Sequence, residues 1–208
     1  AYTPTLDRLI SSTMSTELAA HGTAVGLPTD EDMGNSEVGH NAMGSGRIFA
    51  QGAKLVNKAI EEKSLFLSDV WQTAIQHANQ ATLHLIGLHS DGNVHSHNDH
   101  LYSLILAAVS EGVSEIRIHI LLDGRDTPPR SAEHYINQTE EFIARVNDRY
   151  EVNVQIASGG GRMAITMDRY DADWGMVERG YNCHTHGVGR SFNSAQEAIN
   201  ILYDETDT

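Results

Sequence analysis

The 208-residue sequence contains little cysteine and little lysine, and both shortages limit what the protein can be. The single cysteine, Cys183, excludes a disulfide bond within the chain and fits a reducing cytoplasm, which is the location that we expect. Only three of the 14 basic residues are lysines, so arginine supplies most of the positive charge. Arginine has a planar fork of donors that matches phosphate and carboxylate. Four arginines lie in Gly-rich or turn-like settings: Arg47, Arg125, Arg130 and Arg162.

Long apolar runs are also missing. No stretch approaches the roughly 18 consecutive apolar residues of a membrane span, and no segment resembles a signal peptide. Acidic residues outnumber basic ones, and the formal net charge is −14. That charge argues against non-specific binding to nucleic acid, which requires a positive face. A small anionic substrate is compatible with it, because a binding site responds first to its local charges. We therefore expect neither a nucleic-acid nor a membrane partner.

Apolar runs and amphipathic stretches alternate from residue 83 onward. This pattern predicts strands at 83–88, 115–122 and 152–157, with helices between them at 98–111 and 131–150. Strands that alternate with helices form βαβ units with parallel strands. We predict an α/β fold with a mostly parallel sheet and helices on both faces, in a three-layer αβα arrangement.

The remaining elements flank this pattern. A helix is predicted to begin at Pro4 with Thr3 as its cap, followed by a short strand at 15–20 and a loop over 22–46. Further helices are predicted at 51–62, 68–79, 173–180 and 194–203. Because a helix opens the sequence and no stop signal follows the acidic tail, we expect the natural protein to begin earlier and to continue further.

Polar motifs follow each of the three predicted strands. They occupy residues 91–97, 123–130 and 159–169, and all three are rich in charged or imidazole side chains. In parallel sheets, ligands bind beyond the carboxyl ends of the strands. The sequence therefore predicts that these three segments meet at one binding site.

Each motif has a functional and a structural interpretation. Ser36, in a glycine-containing loop, is either a nucleophile or a turn former. His95 and His97 have a spacing that can bind zinc, or they are solvated residues at a helix start. Asp123–Asp126 either recognises a ligand or forms a structural salt bridge.

Two further motifs lie near the third strand end. The glycines before Arg162 can cradle a phosphate through their backbone N–H groups, although a glycine run is weak evidence by itself. The acidic residues of 168–173 either hold a divalent ion or form surface salt bridges.

Taken together, these motifs resemble those of the cofactor-independent (2,3-bisphosphoglycerate-independent) phosphoglycerate mutases. The resemblance covers nearly the whole chain and follows the family's order of motifs. It rests on Met33–His40 with Gly44–Arg47, then Ser90–His97, Asp123–Pro129 and Gly161–Trp174. It implies an enzyme with two α/β domains, one that holds two manganese ions and one that binds phosphoglycerate.

The resemblance also implies roles for individual residues. Ser36 matches the serine that becomes phosphorylated and that also contacts a metal ion. Five residues match substrate-binding positions: His95, Arg125, Asp126, Arg162 and Arg169. The implied reaction interconverts 3-phosphoglycerate and 2-phosphoglycerate in glycolysis and gluconeogenesis through a phosphoserine. The implied enzyme is a cytoplasmic monomer with Mn²⁺ as its metal.

Several family motifs are absent from this sequence. They are the opening Asp-Gly strand end, a downstream Arg-Gly-Asp-Arg stretch, the substrate lysine and the Asp and His metal ligands near the family's end. We therefore expect a truncated chain. Residues 1–46 would be a piece of the metal-binding, phosphatase-like domain with the nucleophile loop, and 47–208 a C-terminally truncated transferase domain. Such a fragment should bind Mn²⁺ incompletely and lack mutase activity.

Two other functions remain open at this point. A hydrolase of the alkaline phosphatase or sulfatase type also uses a metal ion and a nucleophile, but it would release inorganic phosphate from phosphoglycerate. A small-anion binding module without chemistry would leave the Ser36 loop without a purpose. Substitution of Ser36 in the intact protein would then leave activity unchanged.

Overall fold

We describe residues 2–167 and 173–205 of the chain in a computed structural model. The chain divides into two compact units, Ala1–Gln51 and Gly52–Thr208. The predicted boundary between the two domains lies at 46/47. The assignment of metal-binding and transferase roles to the two segments stays a prediction.

Over residues 2–51, the first unit contains two helices and one short 3-10 turn. Helix α1 spans Pro4–Ser12, the 3-10 turn spans Gly22–Val25 and helix α2 spans Ser36–Ser45. The strand predicted at 15–20 is wrong, because these residues are irregular and exposed. A strand needs a neighbour for its backbone hydrogen bonds, and the described sheet contains no strand from this unit.

Helix α2 corrects the prediction that 22–46 is mostly loop. Asn35 caps the helix, since its side chain accepts a hydrogen bond from the backbone N–H of Val38. Gly46 ends it in a left-handed conformation with φ of 67°. Val38 also packs against Val25 and Leu27 in a small apolar cluster. The cap and this cluster stabilise a helix whose glycines suggested a loop.

The second unit contains six helices and three strands within the described residues. The helices are α3 (Gly52–Glu61), α4 (Asp69–Ala78), α5 (Asn98–Ser110), α6 (Ala132–Tyr150), α7 (Trp174–His186) and α8 (Ala195–Glu205). The strands are β1 (Leu83–His89), β2 (Glu115–Leu122) and β3 (Asn153–Gly161). None of these helices combines the length and the apolar character that crossing a membrane requires.

The three strands form a parallel sheet in the order β1-β2-β3, as the βαβ pattern predicts. Side chains of Ile116, Ile118 and Ile120 alternate along β2 and belong to the main apolar core. The same core takes buried side chains from four helices: Ile75 of α4, Ile105 of α5, Ile143 of α6 and Ile199 of α8. Burial of this apolar face holds the sheet and its helices together.

The other face of the sheet carries α7 and a row of polar side chains. His119 of β2 hydrogen bonds to His84 of β1 and to Ser158 of β3, and Ser158 also contacts His184 of α7. A bulge in β3 makes this row possible: Ile118 pairs with Ile156 but the next residue, His119, pairs with Ser158. The extra residue turns Ser158 to the same face as His119. Helices therefore lie on both faces of the sheet, as predicted.

Element ends show where local signals were correct and where they failed. Gly112 has a left-handed φ of 96° two residues after the end of α5, a conformation that glycine adopts readily beyond a helix. Ser131 occupies the N-cap of α6 in a helical backbone conformation and accepts no side-chain capping bond; its hydroxyl donates to Thr127. Strand β3 continues through the glycines to Gly161, whereas the prediction ended it at Ala157.

Candidate functional site

The candidate site lies at the carboxyl ends of the three parallel strands. Ser90, Asp123 and Arg162 are the first residues after β1, β2 and β3. Adjacent parallel strands place their carboxyl ends along one edge, so residues far apart in sequence become neighbours. All three of these residues are buried.

Arg162 connects two carboxylates at this edge. Its Nη1 donates to Asp123 Oδ1 at 2.9 Å and to Asp126 Oδ2 at 2.9 Å. Its backbone N–H donates to the carbonyl of Leu122 at 2.9 Å, which continues the β2–β3 pairing beyond the strand. The buried guanidinium is therefore held by backbone and side-chain contacts together.

His95 joins the same cluster from the loop after β1. Its Nδ1 lies 2.7 Å from Asp126 Oδ2, the oxygen that also accepts from Arg162. His95 is itself exposed, so its ring can contact a ligand. The structure thus joins three of the expected substrate-binding residues through Asp126, which contacts both His95 and Arg162.

Asp123 is the most heavily hydrogen-bonded carboxylate of the cluster. Burial raises the pKa of its carboxyl, but hydrogen bonds from Ser90, the Asp126 N–H, Arg162 and the Arg125 N–H outweigh burial and lower the pKa overall. For Arg162, burial lowers the pKa, while the hydrogen bonds to the two aspartates outweigh it and raise the pKa. Both pKa shifts favour the ionised forms of Asp123 and Arg162.

The two other expected substrate-binding residues differ in what the structure shows. Arg125 is exposed, and among the described residues its guanidinium makes no hydrogen bond or ion pair. Its backbone N–H donates to Asp123 Oδ1 at 3.2 Å, which places Arg125 beside the cluster. Arg169 lies outside the described residues. The roles assigned to all five residues stay predictions.

Ser90 and Asp123 were not among the predicted site residues, although Asp123 begins the second polar motif and Ser90 directly precedes the first. Asp123 had been weighed as part of a structural salt bridge, and it does form one with Arg162. A usable signal was available in the sequence: Asp123 directly follows the second predicted strand, and Ser90 lies two residues after the end of the first. Burial of both side chains, however, depends on tertiary packing.

The remaining histidines of the motif after β1 have local structural contacts. His97 is the N-cap of α5 and its Nδ1 accepts from the backbone N–H of Asp99 at 3.1 Å. His100 contacts the side chain of Asn57. Over residues 2–167 and 173–205, no group of three or more His, Cys, Asp or Glu side chains could hold a metal ion.

Ser36 is the first residue of α2 and is exposed in the first unit. His40 Nδ1 lies 2.6 Å from the Ser36 carbonyl oxygen and 3.1 Å from Ser36 Oγ. A carbonyl oxygen only accepts, so the short contact requires His40 Nδ1 to carry the proton. In this arrangement His40 cannot take the proton of the Ser36 hydroxyl.

The described residues around Ser36 do not form a metal site. The residue that contacts its hydroxyl is a histidine, and no carboxylate joins them in the described part of the chain. The fit between these residues and the expected Mn²⁺ is therefore incomplete, and we derive no chemical step through a metal.

The fold and the cluster together define an α/β protein with a parallel sheet and a buried arginine–carboxylate site at the strand ends. The chain matches the family described as BPG-independent PGAM N-terminus (iPGM_N) over residues 56–208. A probable 2,3-bisphosphoglycerate-independent phosphoglycerate mutase of Leptospira interrogans serovar Lai is 53% identical over 207 residues, which cover 99% of this chain and 38% of that protein.

Two relatives from trypanosomatids agree. The 2,3-bisphosphoglycerate-independent phosphoglycerate mutase of Trypanosoma brucei brucei is 47% identical over 208 residues, covering 99% of this chain and 38% of the relative. A crystal structure of Leishmania mexicana phosphoglycerate mutase at low cobalt concentration matches with a TM-score of 0.91 and 47% identity, covering 99% of this chain and 38% of that one. The chain belongs to the 2,3-bisphosphoglycerate-independent phosphoglycerate mutase family. It spans about 38% of the length of these relatives.

Proposed function

We propose that the full-length protein containing this chain interconverts 3-phosphoglycerate and 2-phosphoglycerate through a phosphoserine at Ser36. The observation that carries the proposal is the contact of His95, Asp126 and Arg162 at the strand ends, in a chain of this family. The cluster combines a cation for anionic oxygens with an imidazole and a carboxylate for a hydroxyl group. These are the groups that a phosphorylated hydroxy acid requires.

In the proposed reaction, Ser36 Oγ loses its proton and attacks phosphorus, the bond from phosphorus to the substrate oxygen breaks, and the released oxygen takes up a proton. The glycerate stays bound through His95, Arg125, Asp126, Arg162 and Arg169 while it reorients. Its other hydroxyl then attacks the phosphorus of the phosphoserine, and the Ser36 oxygen leaves. Arginines stabilise the negative charge of the transferring group because they are fixed donors that need no reorganisation.

The position of Ser36 supports a phosphorylated intermediate. The N-terminus of a helix carries partial positive charge and unsatisfied N–H groups, and Ser36 is the first residue of the ten-residue helix α2. A phosphoryl group on Ser36 would add negative charge at the helix end that favours it.

The remaining properties of the full-length protein are also proposals. We propose Mn²⁺ as its metal with Ser36 as one ligand, a cytoplasmic location, and a monomer whose partners are the two phosphoglycerates. Nucleic acid and membranes are not proposed as partners; the net charge of −14 opposes non-specific binding to nucleic acid.

Substitution of Arg162 tests the substrate-binding role. In the full-length protein, Arg162→Ala should weaken binding of 3-phosphoglycerate about ten- to a hundredfold, since a charge-assisted hydrogen bond is worth roughly 1.5–3 kcal/mol. Isothermal titration calorimetry measures this change. Arg145→Ala is the matched control, because Arg145 is an exposed arginine on α6 that pairs only with Glu141 at 3.9 Å among the described residues. Unchanged affinity in Arg162→Ala would contradict the assignment.

Substitution of Ser36 tests the chemistry. Ser36→Ala in the full-length protein should abolish mutase turnover and any acid-stable phosphate on the protein, because no oxygen remains to accept the phosphoryl group. Mass spectrometry after mixing with 3-phosphoglycerate detects the phosphoserine, and a phosphate assay measures hydrolysis. Full turnover in Ser36→Ala would exclude the phosphoserine route, while stoichiometric phosphate release by the unsubstituted protein would favour the hydrolase.

A further inference from the structure

Asp123 connects the ends of all three strands. Its Oδ2 accepts from Ser90 Oγ at 2.6 Å, and its Oδ1 accepts from Arg162 Nη1 at 2.9 Å. Oδ1 also accepts from the backbone N–H groups of Arg125 and Asp126, at 3.2 and 3.1 Å. Both carboxylate oxygens are thus occupied by groups of the protein itself.

The two aspartates that hold Arg162 differ in their access to a ligand. The side chain of Asp123 is 1% exposed, whereas that of Asp126 is 11% exposed and also contacts His95. A carboxylate that is almost fully buried, with both oxygens bonded to the protein, has no open side for a substrate. Asp123 is therefore not a substrate ligand, and its effect on a ligand has to pass through Arg162 or the adjoining turn.

The geometry of the Arg162 guanidinium shows how Asp123 affects a ligand. Nη1 of Arg162 uses its two hydrogens on the two aspartates, while Nε and Nη2 donate to no acceptor among the described residues. Nε–H and one N–H of Nη2 point the same way and form the fork that binds a carboxylate or phosphoryl group with two parallel hydrogen bonds. Because the guanidinium is planar, two anchors on Nη1 fix the direction of that fork.

Ser90 holds the carboxylate of Asp123 in place. Its hydroxyl donates to Asp123 and accepts from the backbone N–H of Gly92 at 3.1 Å, and its backbone N–H donates to the side chain of Asn98 at 3.0 Å. Ser90 is 1% exposed, so its rotamer is held by packing and by these bonds. It ties the position of Asp123 to β1 and to the start of α5.

We propose that Asp123, supported by Ser90, is a positioning residue that fixes the free Nε–Nη2 fork of Arg162 toward two oxygens of an anionic substrate. The inference rests on the proposed function, and it names the atoms through which Arg162 binds. Asp126 retains freedom to contact the substrate, because Asp123 holds Arg162 independently of it.

A double-mutant cycle in the full-length protein tests the inference. Asp123→Asn keeps the volume of the side chain and removes its charge, so binding of 3-phosphoglycerate should weaken about tenfold while kcat changes by less than about threefold. In an Arg162→Ala background, Asp123→Asn should have no further effect on affinity, since it acts through Arg162. Calorimetry measures affinity and a coupled assay measures KM and kcat. Asp148→Asn, on the exposed surface of α6, is the control.

A merely structural role of Asp123 gives a different result. Loss of folded protein would lower kcat without raising KM, and the effect on affinity would persist in the Arg162→Ala background. Either result overturns the inference. If Asp123→Asn does not fold in a thermal unfolding test, Ser90→Ala replaces it in the same cycle, with a smaller expected loss of affinity of about threefold and the same non-additivity.

The cycle also separates this inference from the proposed function. If the unsubstituted protein binds 3-phosphoglycerate without turnover, the proposed function fails, while a non-additive cycle in affinity still supports the positioning role. If turnover occurs and the cycle is additive, the positioning role fails alone.

Discussion

At the scale of single residues, a glycine without a side chain leaves room for the segment that follows Arg162. Gly180 of α7 is buried, and a Cβ placed on it would lie 2.1 Å from Thr166 Oγ1 and 2.6 Å from the Thr166 backbone. Thr166 has a left-handed φ of 73° and donates its N–H to the carbonyl of Met176 at 3.0 Å. This strained residue is held in place because Gly180 leaves room for it.

Gly180→Ala should therefore destabilise the protein by about 1–3 kcal/mol, since the new methyl group meets backbone atoms that cannot move freely. Gly44→Ala is the control, because a Cβ on Gly44 in α2 meets no atom within 4 Å. The control should be neutral or stabilising by up to about 1 kcal/mol. Urea unfolding measures both. Equal midpoints for the two variants would contradict the proposed packing of α7 on Thr166.

At the scale of elements, a buried polar network joins β1 to α5 and α6. His89 Nε2 and Tyr102 Oη both lie 2.7 Å from Thr139 Oγ1. Burial lowers the pKa of His89 to about 4, and its Nδ1 has no hydrogen-bond partner among the described residues. Burial also lowers the pKa of His119 and of His184 on the polar face of the sheet. The folded state thus favours the neutral imidazoles of these histidines.

These shifts predict how stability depends on pH. Above the usual value of 6.5, His89 is neutral in both states; as pH falls toward about 4, the unfolded chain binds a proton that the folded chain does not. The free energy of unfolding should therefore decrease as the pH is lowered from about 6.5 to about 4. His89 alone contributes up to about 3 kcal/mol of this decrease.

His89→Gln should reduce this pH dependence, because glutamine can still bond to Thr139 but does not titrate. The measurement is urea unfolding at several pH values between 7 and 4. The control is His134→Gln, which removes an exposed imidazole from α6 and should leave the slope nearly unchanged. A slope that is the same in His89→Gln and in the unsubstituted protein would show that His89 is accessible to protons.

At the scale of the whole molecule, the chain combines a net charge of −14 with a binding site centred on arginine. The N–H groups of Arg162 act on a ligand at hydrogen-bond distance, where local contacts matter more than the summed charge of the surface. The chain also spans only about 38% of the length of its relatives. The activity of the family therefore has to be tested on the full-length protein.

We expect the 208-residue chain by itself to show no mutase turnover with Mn²⁺. The resemblance places most metal ligands in motifs that this sequence lacks, and the described residues form no metal cluster. An enolase-coupled assay with 3-phosphoglycerate measures turnover, with the full-length protein under the same conditions as the positive control. Measurable conversion by the 208-residue chain would show that the missing motifs are dispensable.

Much of the fold was predictable from the sequence because the signals are local. Apolar runs of strand length and amphipathic helical stretches predicted β1, β2 and β3 and the helices between them, and βαβ order implies parallel strands. The same local signals failed for α2, where two glycines obscured the cap at Asn35 and the packing of Val38. Local composition does not report such contacts.

The sequence by itself also determined which motifs follow each strand, and hence that His95, Asp126 and Arg162 are candidates for one site. Only the tertiary structure decided which atoms meet: that Asp123 and Asp126 share Nη1 of Arg162, that Ser90 supports Asp123, and that Ser158 faces His119. The physical reason is that these contacts join residues 33 to 39 positions apart. Strand register and a single bulge set such distances, and neither is encoded within any one segment of the chain.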